Sequence, residues 1–494
     1  MKQNSAILFG AALFAVLSSS GSLFAQGSPT AVFTNLHNFT ALSSGSSGTN
    51  SDGASPGGGL VLSGTTLFGP AALGGSEGSG TLYAINTDGT GFTNLHTFSS
   101  ISLGTNSDGA DPFASLAVFD GVLYGTAYHG GTIGNGTVFR INTNGSAFTT
   151  LSSFTNTYFI YAYGGVIAAN APLTVAGGSL YWLGQDYIQG AGPGGLFSCG
   201  TDGSSFSLLY TNFNPATPQT AGLVISGSRL YGTTLQEGEP GSGTVFAIAT
   251  DGTGRADLYT FTALVAGTNS DGAFPQAGLV LSGNKLYGTT ASGGSGGNGT
   301  VFAVNTDGLG FTNLHSFTSL VSGTNDDGAK PGTGSLVLSN NTLYGTTSIG
   351  GTGGNGTVFA IHTDGSGFVN LYNFSPLDPA TFTTNDDGAT PGGALVLSAN
   401  TLYGTTGRGG SAGNGTVYGL FLSTSATQLA ISRSGGSVIL TWPADAAGFT
   451  LQSTTNLLSP TNWSAVSPGA VVVNGMNTAT NLISGSLQYY RLIK

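Results

Sequence analysis

Short apolar runs alternate with turn-forming residues along most of this chain, and residues 278–317 show the pattern most clearly. Their apolar runs are 279–281, 285–289, 300–304 and 311–317. The first gap is Ser-Gly-Asn and the last holds Asp-Gly, both typical of tight hairpins because these residues tolerate positive φ. A longer Gly- and Ser-rich loop lies between the second and third runs. The pattern therefore predicts a four-stranded antiparallel meander.

The second strand of this unit recurs seven times, each time with a leucine, at intervals of 50 to 59 residues. The leucines are Leu67, Leu123, Leu180, Leu230, Leu286, Leu343 and Leu402. A repeat of about 50 residues with four strands is typical of a β-propeller, whereas the common helical repeats are shorter. The expected fold is all-β: a seven-bladed β-propeller of four-stranded antiparallel blades over residues 31–422.

The fourth strand of the seventh unit is missing after residue 415, and a matching segment, FTNLHNF, stands at residues 33–39 instead. An unpaired strand edge exposes backbone groups that other chains can bind. We therefore predict that residues 33–39 pair with residues 415–420 and close the ring.

The first 25 residues have one lysine, then an apolar run, then small residues up to Ala25. This order is typical of a secretory signal peptide, and it fits a disordered tail poorly. No later stretch approaches the roughly 20 apolar residues that a membrane-spanning helix needs. The sequence predicts an exported protein, outside the cell, on its surface or in the periplasm, with no transmembrane segment.

Only 6% of the residues are charged, and 85 of 494 are glycine. Ordinary globular chains are about 25% charged and about 7% glycine. A net charge of -11 argues against a nucleic acid or an anionic membrane as partner. One cysteine, Cys199, allows no intrachain disulfide, and its alignment with isoleucines predicts a core position. We expect a monomer stabilised by blade packing.

The motif TN[SD]DGAxP begins at residues 49, 105, 268, 324 and 384, in the crossovers between blades. The crossovers and the central loops between second and third strands are expected to share one end of the ring, here called the ligand face. The aspartates Asp52, Asp108, Asp271, Asp327 and Asp387 are weak candidates for Ca²⁺ ligands. An Asx turn explains every residue type of the motif, so we expect no metal and no cofactor.

The third blade departs from the repeat at both of its ligand-face loops. Its unusual residues are Tyr158, Tyr161, Tyr163, Trp182, Gln185, Asp186 and Tyr187. Aromatic rings beside hydrogen-bonding groups suit a sugar, so these residues are the candidate ligand site, with Trp182 expected to be partly accessible. The alternative is that these rings fill a packing gap in a degenerate repeat.

Catalytic motifs with recognised spacing are absent from the sequence. His37, His96 and His315 occupy one repeat position where other copies have tyrosine, which suggests packing on a strand face. The sequence favours a non-enzymatic repeat protein that binds a glycan or an extracellular protein. The alternative is a polysaccharide-active hydrolase or lyase, which would need a pair of carboxylates that the sequence cannot place.

Residues 429–494 follow a short polar linker and predict a small β-sandwich domain. Its expected strands are 428–432, 437–442, 449–453, 470–473 and 487–493, with Trp442 and Trp463 as core aromatics.

The units LVLSGNxLYGTT, GGxxGNGTVFAINTDGxGFTNLHSF and TNSDGAxP resemble the GloVer tandem repeat of secreted bacterial proteins. The resemblance covers residues 31–422, and blade three and the crossover into blade four depart from it. The C-terminal stretch, with LTWP at Leu440 and the ending YYRL, is similar to a β-sandwich module at the ends of many secreted proteins. The resemblance implies a propeller-like fold and export rather than a particular chemistry.

Overall fold

The computed structural model describes residues 31–44, 48–154, 167–168, 171–186, 194–213, 221–422, 429–443, 450–454, 463–467, 469–473, 476–482 and 489–493. Residues 167–168 and 185–186 are described by their backbone alone. Contacts divide the chain into the unit Ala31–Leu422 and a second unit that contains Ser423–Lys494. The described residues form strands and turns without a helix, so no helix that could cross a membrane is found among them.

The described strands of the unit Ala31–Leu422 form seven antiparallel sheets. Sheet 1 contains β2 (Val61–Ser63), β3 (Thr66–Ala71), β4 (Thr81–Asn86) and β5 (Thr93–Thr97). Sheet 2 contains β6 (Ala117–Phe119), β7 (Val122–Ala127), β8 (Thr137–Asn142) and β9 (Thr149–Ser153). Sheet 3 contains β10 (Ile167–Ala168), β11 (Thr174–Ala176), β12 (Ser179–Asp186), β13 (Gly194–Gly200) and β14 (Ser207–Phe213).

Sheet 4 contains β15 (Val224–Ser226), β16 (Arg229–Thr234), β17 (Thr244–Ala249) and β18 (Ala256–Thr260). Sheet 5 contains β19 (Val280–Ser282), β20 (Lys285–Thr290), β21 (Thr300–Asn305) and β22 (Thr312–Ser316). Sheet 6 contains β23 (Ala329–Pro331), β24 (Val337–Ser339), β25 (Thr342–Ile349), β26 (Thr357–His362) and β27 (Val369–Asn373). Sheet 7 contains β28 (Ala389–Pro391), β29 (Val396–Ser398), β30 (Thr401–Arg408), β31 (Thr416–Leu422) and β1 (Ala31–Asn38).

The middle of the third strand of each unit is largely apolar because it is buried on both faces. In sheet 5, β21 reads TVFAVN, and its first five residues are buried. A strand that contacts neighbouring sheets on both sides gains nothing from alternating polar residues. Each hydrophobic core cluster accordingly takes residues from two consecutive sheets, as Leu286 and Phe302 do with Tyr231 and Val245.

The N-terminal strand closes the ring, as predicted. β1 pairs antiparallel with β31, with Phe33 opposite Leu420 and Asn38 opposite Thr416, and the Phe39 N–H donates to the Gly415 carbonyl. Phe39 is fully buried in a core shared by sheets 1 and 7. The chain's first strand thus covers the edge that β31 would otherwise expose.

The first strands of neighbouring sheets contact one another around the inside of the ring. A Cβ placed on Gly59 would lie 2.6 Å from both the Ala394 N of sheet 7 and the Ser115 Oγ of sheet 2. A Cβ on Gly334 would lie 2.2 Å from the same Ala394 N. Only glycine fits at such approaches, so small residues hold the inner strands together. The fold of this unit is all-β and propeller-like.

The described strands of the second unit form two sheets. One contains β32 (Ala430–Ser434), β33 (Ser437–Pro443), β37 (Met476–Leu482) and β36 (Val471–Val473), and the other contains β35 (Ser464–Ala465), β34 (Thr450–Thr454) and β38 (Tyr489–Ile493). Trp442, Leu451 and Tyr490 from the two sheets share one buried cluster.

Two details of this unit differ from expectation. β37 reads MNTATNL and pairs with β33, and its strand was not among those predicted because Asn and Thr give it little apolar alternation. Trp442 is a core residue, as predicted, but Trp463 is only half buried and carries the Arg491 guanidinium 4.2 Å from its ring centroid.

Candidate functional site

The crossovers and the central loops lie at the same end of the sheets, as predicted. In the crossover into sheet 5, the Asn269 Oδ1 accepts from the Gly272 N–H in its own turn and from the Gly294 N–H of the central loop, both at 2.9 Å. Its Nδ2 donates to the carbonyls of Thr262 and Gly272. Gly272 has φ +99°, which an L side chain rarely adopts. The turn chemistry expected of this motif, an amide oxygen that accepts backbone hydrogen bonds and a glycine at positive φ, is therefore present, although the bond spans three residues rather than the two of an Asx turn.

The aspartate that precedes the motif's glycine has a role that the sequence did not reveal. Asp271 is 3% exposed, and its carboxylate accepts hydrogen bonds from the Tyr259 hydroxyl at 2.9 Å and from the Thr262 N–H at 2.9 Å. The Thr262 hydroxyl donates to the other oxygen at 2.5 Å. Tyr259 and Thr262 lie in and just after the fourth strand of sheet 4. The carboxylate thus anchors the crossover to the end of the preceding strand.

We name this arrangement the aspartate clamp. It consists of a buried aspartate, a His or Tyr of the fourth strand that bonds to it, and a Ser or Thr that lies three residues after that His or Tyr and bonds to the same carboxylate. The described residues contain five clamps. They are His37–Asp52–Thr40, His96–Asp108–Ser99, Tyr259–Asp271–Thr262, His315–Asp327–Thr318 and Tyr372–Asp387–Ser375. An imidazole N–H and a phenol O–H can both donate to the carboxylate, which explains why His and Tyr interchange.

The same His or Tyr ring also packs against the next sheet. His96 stacks on Phe148 with ring centroids 3.7 Å apart, and Tyr259 stacks on Phe311 at the same distance. The packing role predicted for His37, His96 and His315 is confirmed, and the hydrogen bond to the aspartate is an additional role. Each clamp therefore joins a fourth strand, the crossover that follows it and the adjacent sheet.

In the three clamps that contain a histidine, the hydrogen bonds favour an ionised aspartate. Burial acts to raise the pKa of Asp52, Asp108 and Asp327, but the hydrogen bonds from the paired histidine and hydroxyl outweigh it and hold each pKa below its usual value. Burial, followed by the bond to the aspartate, raises the pKa of Tyr259. At neutral pH the phenol of Tyr259 therefore remains a hydrogen-bond donor.

The clamp contains the residue types of a Ser-His-Asp triad but lacks the triad's connectivity. In a triad the hydroxyl donates to the imidazole and the imidazole to the carboxylate. Here the Ser99 hydroxyl and the His96 Nε2 both bond to Asp108, so the imidazole is not placed to take the hydroxyl proton. Among the described residues no group of three or more His, Cys, Asp or Glu could hold a metal ion. The clamp is a structural device.

The expectation that Trp182 is partly accessible is wrong. Its side chain is fully buried between sheets 2 and 3, stacked on Phe197 with centroids 5.7 Å apart. Trp182 occupies the repeat position of Gly288, where a Cβ would lie 2.6 Å from the Phe302 ring, so this position faces the core. Trp182 therefore packs between sheets and forms no part of an exposed platform.

The other residues of the predicted aromatic site are not brought together by what the structure describes. Tyr158, Tyr161, Tyr163 and Tyr187 lie outside the described residues. The backbones of Gln185 and Asp186 end β12 and pair with Ala168 and Ile167 of β10.

Cys199 is a core residue, as predicted, and burial, followed by the nearby Asp202, raises its pKa to about 11.

Sequence analysis also missed a buried ion pair at the junction of sheets 3 and 4. Arg255 stands where most copies have the stacking phenylalanine, and its guanidinium lies 5.7 Å from the Tyr210 centroid and 5.2 Å from that of Phe213. It bonds to Glu237, which replaces a central-loop glycine, and lies 3.0 Å from Asp257. The sequence did contain a signal for this ion pair. Glu237 and Arg255 both depart from the repeat, and both lie in the fourth unit, whose crossover lacks the TN[SD]DG motif.

One further position of the ligand face distinguishes the repeats. This position is the residue x of the motif DGAxP, which occurs five times. It lies at the ligand-face end of the inner edge of its sheet, and we name the five residues the inner-strand set. Its members and their φ values are Ser55 (53°), Asp111 (53°), Phe274 (59°), Lys330 (51°) and Thr390 (55°). Most other residues with positive φ in this chain are glycines. The set thus combines a conformation that favours glycine with five different side chains.

The backbone of the inner-strand set is fixed from two sides. The Lys330 N–H donates to the Asn298 carbonyl of sheet 5 at 2.9 Å, and its carbonyl accepts from the Ser348 hydroxyl at 3.0 Å. The Thr390 N–H donates to the Asn355 carbonyl of sheet 6 in the same way. These bonds hold the left-handed conformation against its intrinsic cost. The sequence signal that could have found the set is its variation within an otherwise repeated motif.

Several solved structures are similar in fold. Oligogalacturonate lyase from Vibrio parahaemolyticus has 8% identity and a TM-score of 0.48, covering 80% of this chain and 98% of its own. An oligogalacturonate lyase in complex with manganese has 11% identity and a TM-score of 0.47, with coverages of 80% and 97%. A GH74 enzyme from Niastella koreensis has 15% identity and a TM-score of 0.48, with coverages of 88% and 60%. Likenesses this distant say nothing about activity, and no curated protein matches the chain.

The repeated units of the ring also match a known sequence family. The model of the Gloeobacter/Verrucomicrobia repeat matches residues 1–177 and 168–418, which together span most of the chain. This match confirms the resemblance drawn from the LYGTT, GTVFAINTDG and TNSDGAxP motifs. The chain belongs to the Gloeobacter/Verrucomicrobia repeat family.

Proposed function

We propose that this chain is an exported, seven-bladed β-propeller that binds a glycan or an extracellular protein on its ligand face without catalysing a reaction. In this proposal residues 1–25 are the signal peptide, residues 31–422 form the propeller and residues 429–494 form a β-sandwich domain. Each of the seven sheets is one blade, and β1 completes the last one. The protein acts as a monomer.

The observation that carries the proposal is the inner-strand set. A non-glycine residue in the left-handed region costs about 1–3 kcal/mol, and such strain is concentrated at functional sites. This chain places glycine freely elsewhere, yet all five DGAxP motifs keep a side chain at this position. The side chains include an acid, a base, an aromatic ring and two hydroxyls. A purely structural position would be expected to converge on one residue, as the clamp's aspartate has done.

The non-catalytic part of the proposal follows from where the repeated acidic groups are used. The five clamp aspartates are largely buried and bonded to protein donors, so they are not free to act as an acid and a base on a substrate. A glycosidase needs two carboxylates that flank a bound sugar. The enzyme alternative would therefore depend on carboxylates outside the clamps.

A binding screen tests the proposal. The chain without residues 1–25 is applied to arrays of glycans and extracellular proteins, with calcium and with EDTA. The proposal predicts saturable binding to at least one class, unaffected by EDTA, because the clamp carboxylates already have protein donors. Replacing Asp111, Phe274 and Lys330 together with glycine should abolish binding without lowering the melting temperature. Binding that survives this triple change would contradict the assignment of the ligand face.

A further inference from the structure

The ligand face carries two unpaired positive charges on neighbouring sheets in a chain of net charge -11. Lys330 lies in β23 of sheet 6, and Arg408 ends β30 of sheet 7, beside β28. Both side chains are exposed, and no ion pair is found for either within the described residues. We propose that Lys330 and Arg408 bind the anionic groups of an acidic polysaccharide. The inference rests on the proposed binding function and names its ligand class.

The distribution of the other positive charges makes this pair distinctive. The unit Ala31–Leu422 contains four further basic residues: Arg140, Arg229, Arg255 and Lys285. Arg255 is neutralised by Glu237 and Asp257. Arg229 and Lys285 begin the second strands of their sheets, at the end opposite the ligand face. Arg140 lies within the third strand of sheet 2. Lys330 and Arg408 are thus the unpaired cations available to a ligand on that face.

The backbones that carry the two cations are held in place before any ligand arrives. Lys330 is fixed by its bonds to Asn298 and Ser348, as described above. The Arg408 carbonyl accepts from the Thr406 hydroxyl at 3.0 Å, and the preceding Gly407 carbonyl accepts from the Ser55 hydroxyl of sheet 1 at 3.3 Å. Because the backbone at both residues is already fixed, less conformational entropy is lost when a ligand binds. The left-handed φ of Lys330 is part of that arrangement.

The acidic residues of the same face lie elsewhere. Asp326 and Asp386 are exposed, but their carbonyls accept from Asn370 and Asn35, on the fourth strands at the outer rim. Lys330, on a first strand, is three interstrand spacings from the fourth strand of its sheet, about 14 Å, and Arg408, on the second strand β30, is two spacings from β1, about 10 Å. Both separations exceed the Debye length of about 8 Å at physiological ionic strength. Asp111, in sheet 2, bonds to His129 Nδ1 at 2.5 Å. An anion at Lys330 and Arg408 is therefore largely screened from these carboxylates.

The neighbours of the two cations favour a polysaccharide over other anions. Thr390 lies in β28 of sheet 7, on the strand that pairs with the Arg408 end of β30, and Ser55 and Phe274 precede the flanking sheets 1 and 5. Hydroxyl groups and an aromatic ring are suited to sugar rings, which present hydroxyls on their edges and an apolar face. A polymer with a charge on each sugar can reach cations on two adjacent sheets. An overall charge of -11 opposes nucleic acid, whose phosphate density is far higher.

The test compares two double variants of the full chain without residues 1–25. Lys330→Ala/Arg408→Ala removes the proposed contacts, and Arg229→Ala/Lys285→Ala removes the same charge from the opposite end. The probes are polygalacturonate, alginate, neutral galactan and single-stranded DNA, measured by affinity electrophoresis and titration calorimetry at about 50 mM salt. We expect at least a tenfold loss of affinity for an acidic polymer in the first variant and less than a twofold change in the second.

The conservative variant Lys330→Arg/Arg408→Lys should keep most of the affinity, and the melting temperatures of all variants should agree within about 2 °C because these side chains pack little. Equal losses in both alanine variants would overturn the inference, since net charge alone would then explain binding. Binding to neutral galactan or to an extracellular protein without binding to either acidic polymer would overturn it and leave the binding function intact. Tighter binding to DNA than to the acidic polymers, lost in the first variant, would also overturn it. If none of these polymers binds, the inference fails, and the proposed binding function fails with it when the arrays of glycans and extracellular proteins also show no binding.

Discussion

Removing one aspartate clamp should destabilise the ring by a predictable amount. The change is Asp327→Ala, with Asp326→Ala as a control from the same loop. Asp327 is 6% exposed, and its carboxylate accepts from the His315 Nε2 at 3.0 Å and from the Thr318 N–H and hydroxyl. Asp326 is exposed, and its carbonyl, which the substitution keeps, accepts from Asn370. The two variants therefore differ in whether a bonded carboxylate is lost.

The expected magnitude follows from those bonds. Hydrogen bonds to a charged group contribute about 1.5–3 kcal/mol each, and Asp327→Ala leaves a half-buried imidazole and a backbone N–H without their acceptor. Because the three bonds share one carboxylate, we expect a total loss of about 3 kcal/mol rather than their sum. An unfolding entropy of about 2.1 cal/mol/K per residue gives the roughly 390-residue ring about 0.8 kcal/mol per degree, so the melting temperature should fall by about 4 °C. Asp326→Ala should lower it by less than about 1 °C.

The pH dependence supplies a second test of the same clamp. The folded pKa of Asp327 lies below its usual value, so its contribution is fully present above about pH 4 and is lost as the pH falls through the folded pKa. The difference in melting temperature between the wild type and Asp327→Ala should therefore shrink as the pH falls below about pH 4. Differential scanning calorimetry between pH 3 and 8 measures both quantities. Equal melting temperatures for Asp327→Ala and the wild type at pH 7 would refute the reasoning.

Three other changes test the packing of the ring. Phe39→Ala should lower the free energy of unfolding by about 3–5 kcal/mol, as much as Phe261→Ala, because both rings are fully buried in equivalent cores. Urea denaturation measures both losses, and a much smaller loss for Phe39→Ala would show that the closing strand adds little stability. Glu237→Gln should cost about 3 kcal/mol because it removes the buried one of the two carboxylates that pair with Arg255. Glu237→Gly with Arg255→Phe restores the common repeat and should be neutral or stabilising, and destabilisation by this double change would contradict the reasoning. EDTA should leave the melting temperature unchanged, and a large calcium-dependent rise would show that the motif aspartates bind metal.

The fold was largely predictable from the sequence because the chain repeats its turn chemistry and its apolar runs. In sheet 5 the predicted strands 285–289 and 300–304 differ by one residue from Lys285–Thr290 and Thr300–Asn305. The closing pair of β1 and β31 followed from counting fourth strands. β37 was missed because its polar strand, MNTATNL, lacks the apolar alternation on which such predictions depend.

The candidate site was less predictable, for physical reasons that particular residues show. His96 and Tyr259 share a repeat position, but nothing local in the sequence says that their donors meet an aspartate 12 residues later. Trp182 looked like a binding aromatic because it broke the repeat. Its alignment with the core-facing Gly288 predicts burial instead, because a given position of a strand faces the same side of the sheet whichever residue occupies it. The left-handed backbone of Lys330 and the rest of the inner-strand set could not be predicted, because the residue types at these positions do not favour positive φ.

The claim that the ligand face binds without catalysing is tested most directly by measuring binding and turnover on the same polymers. The chain without residues 1–25 is incubated with acidic and neutral polysaccharides, and each mixture is assayed for retained polymer, new reducing ends and unsaturated sugar products. The account predicts retention of an acidic polymer with no product above the level of a heat-denatured sample. Accumulation of either product in proportion to protein concentration, and its loss on heating, would contradict the account.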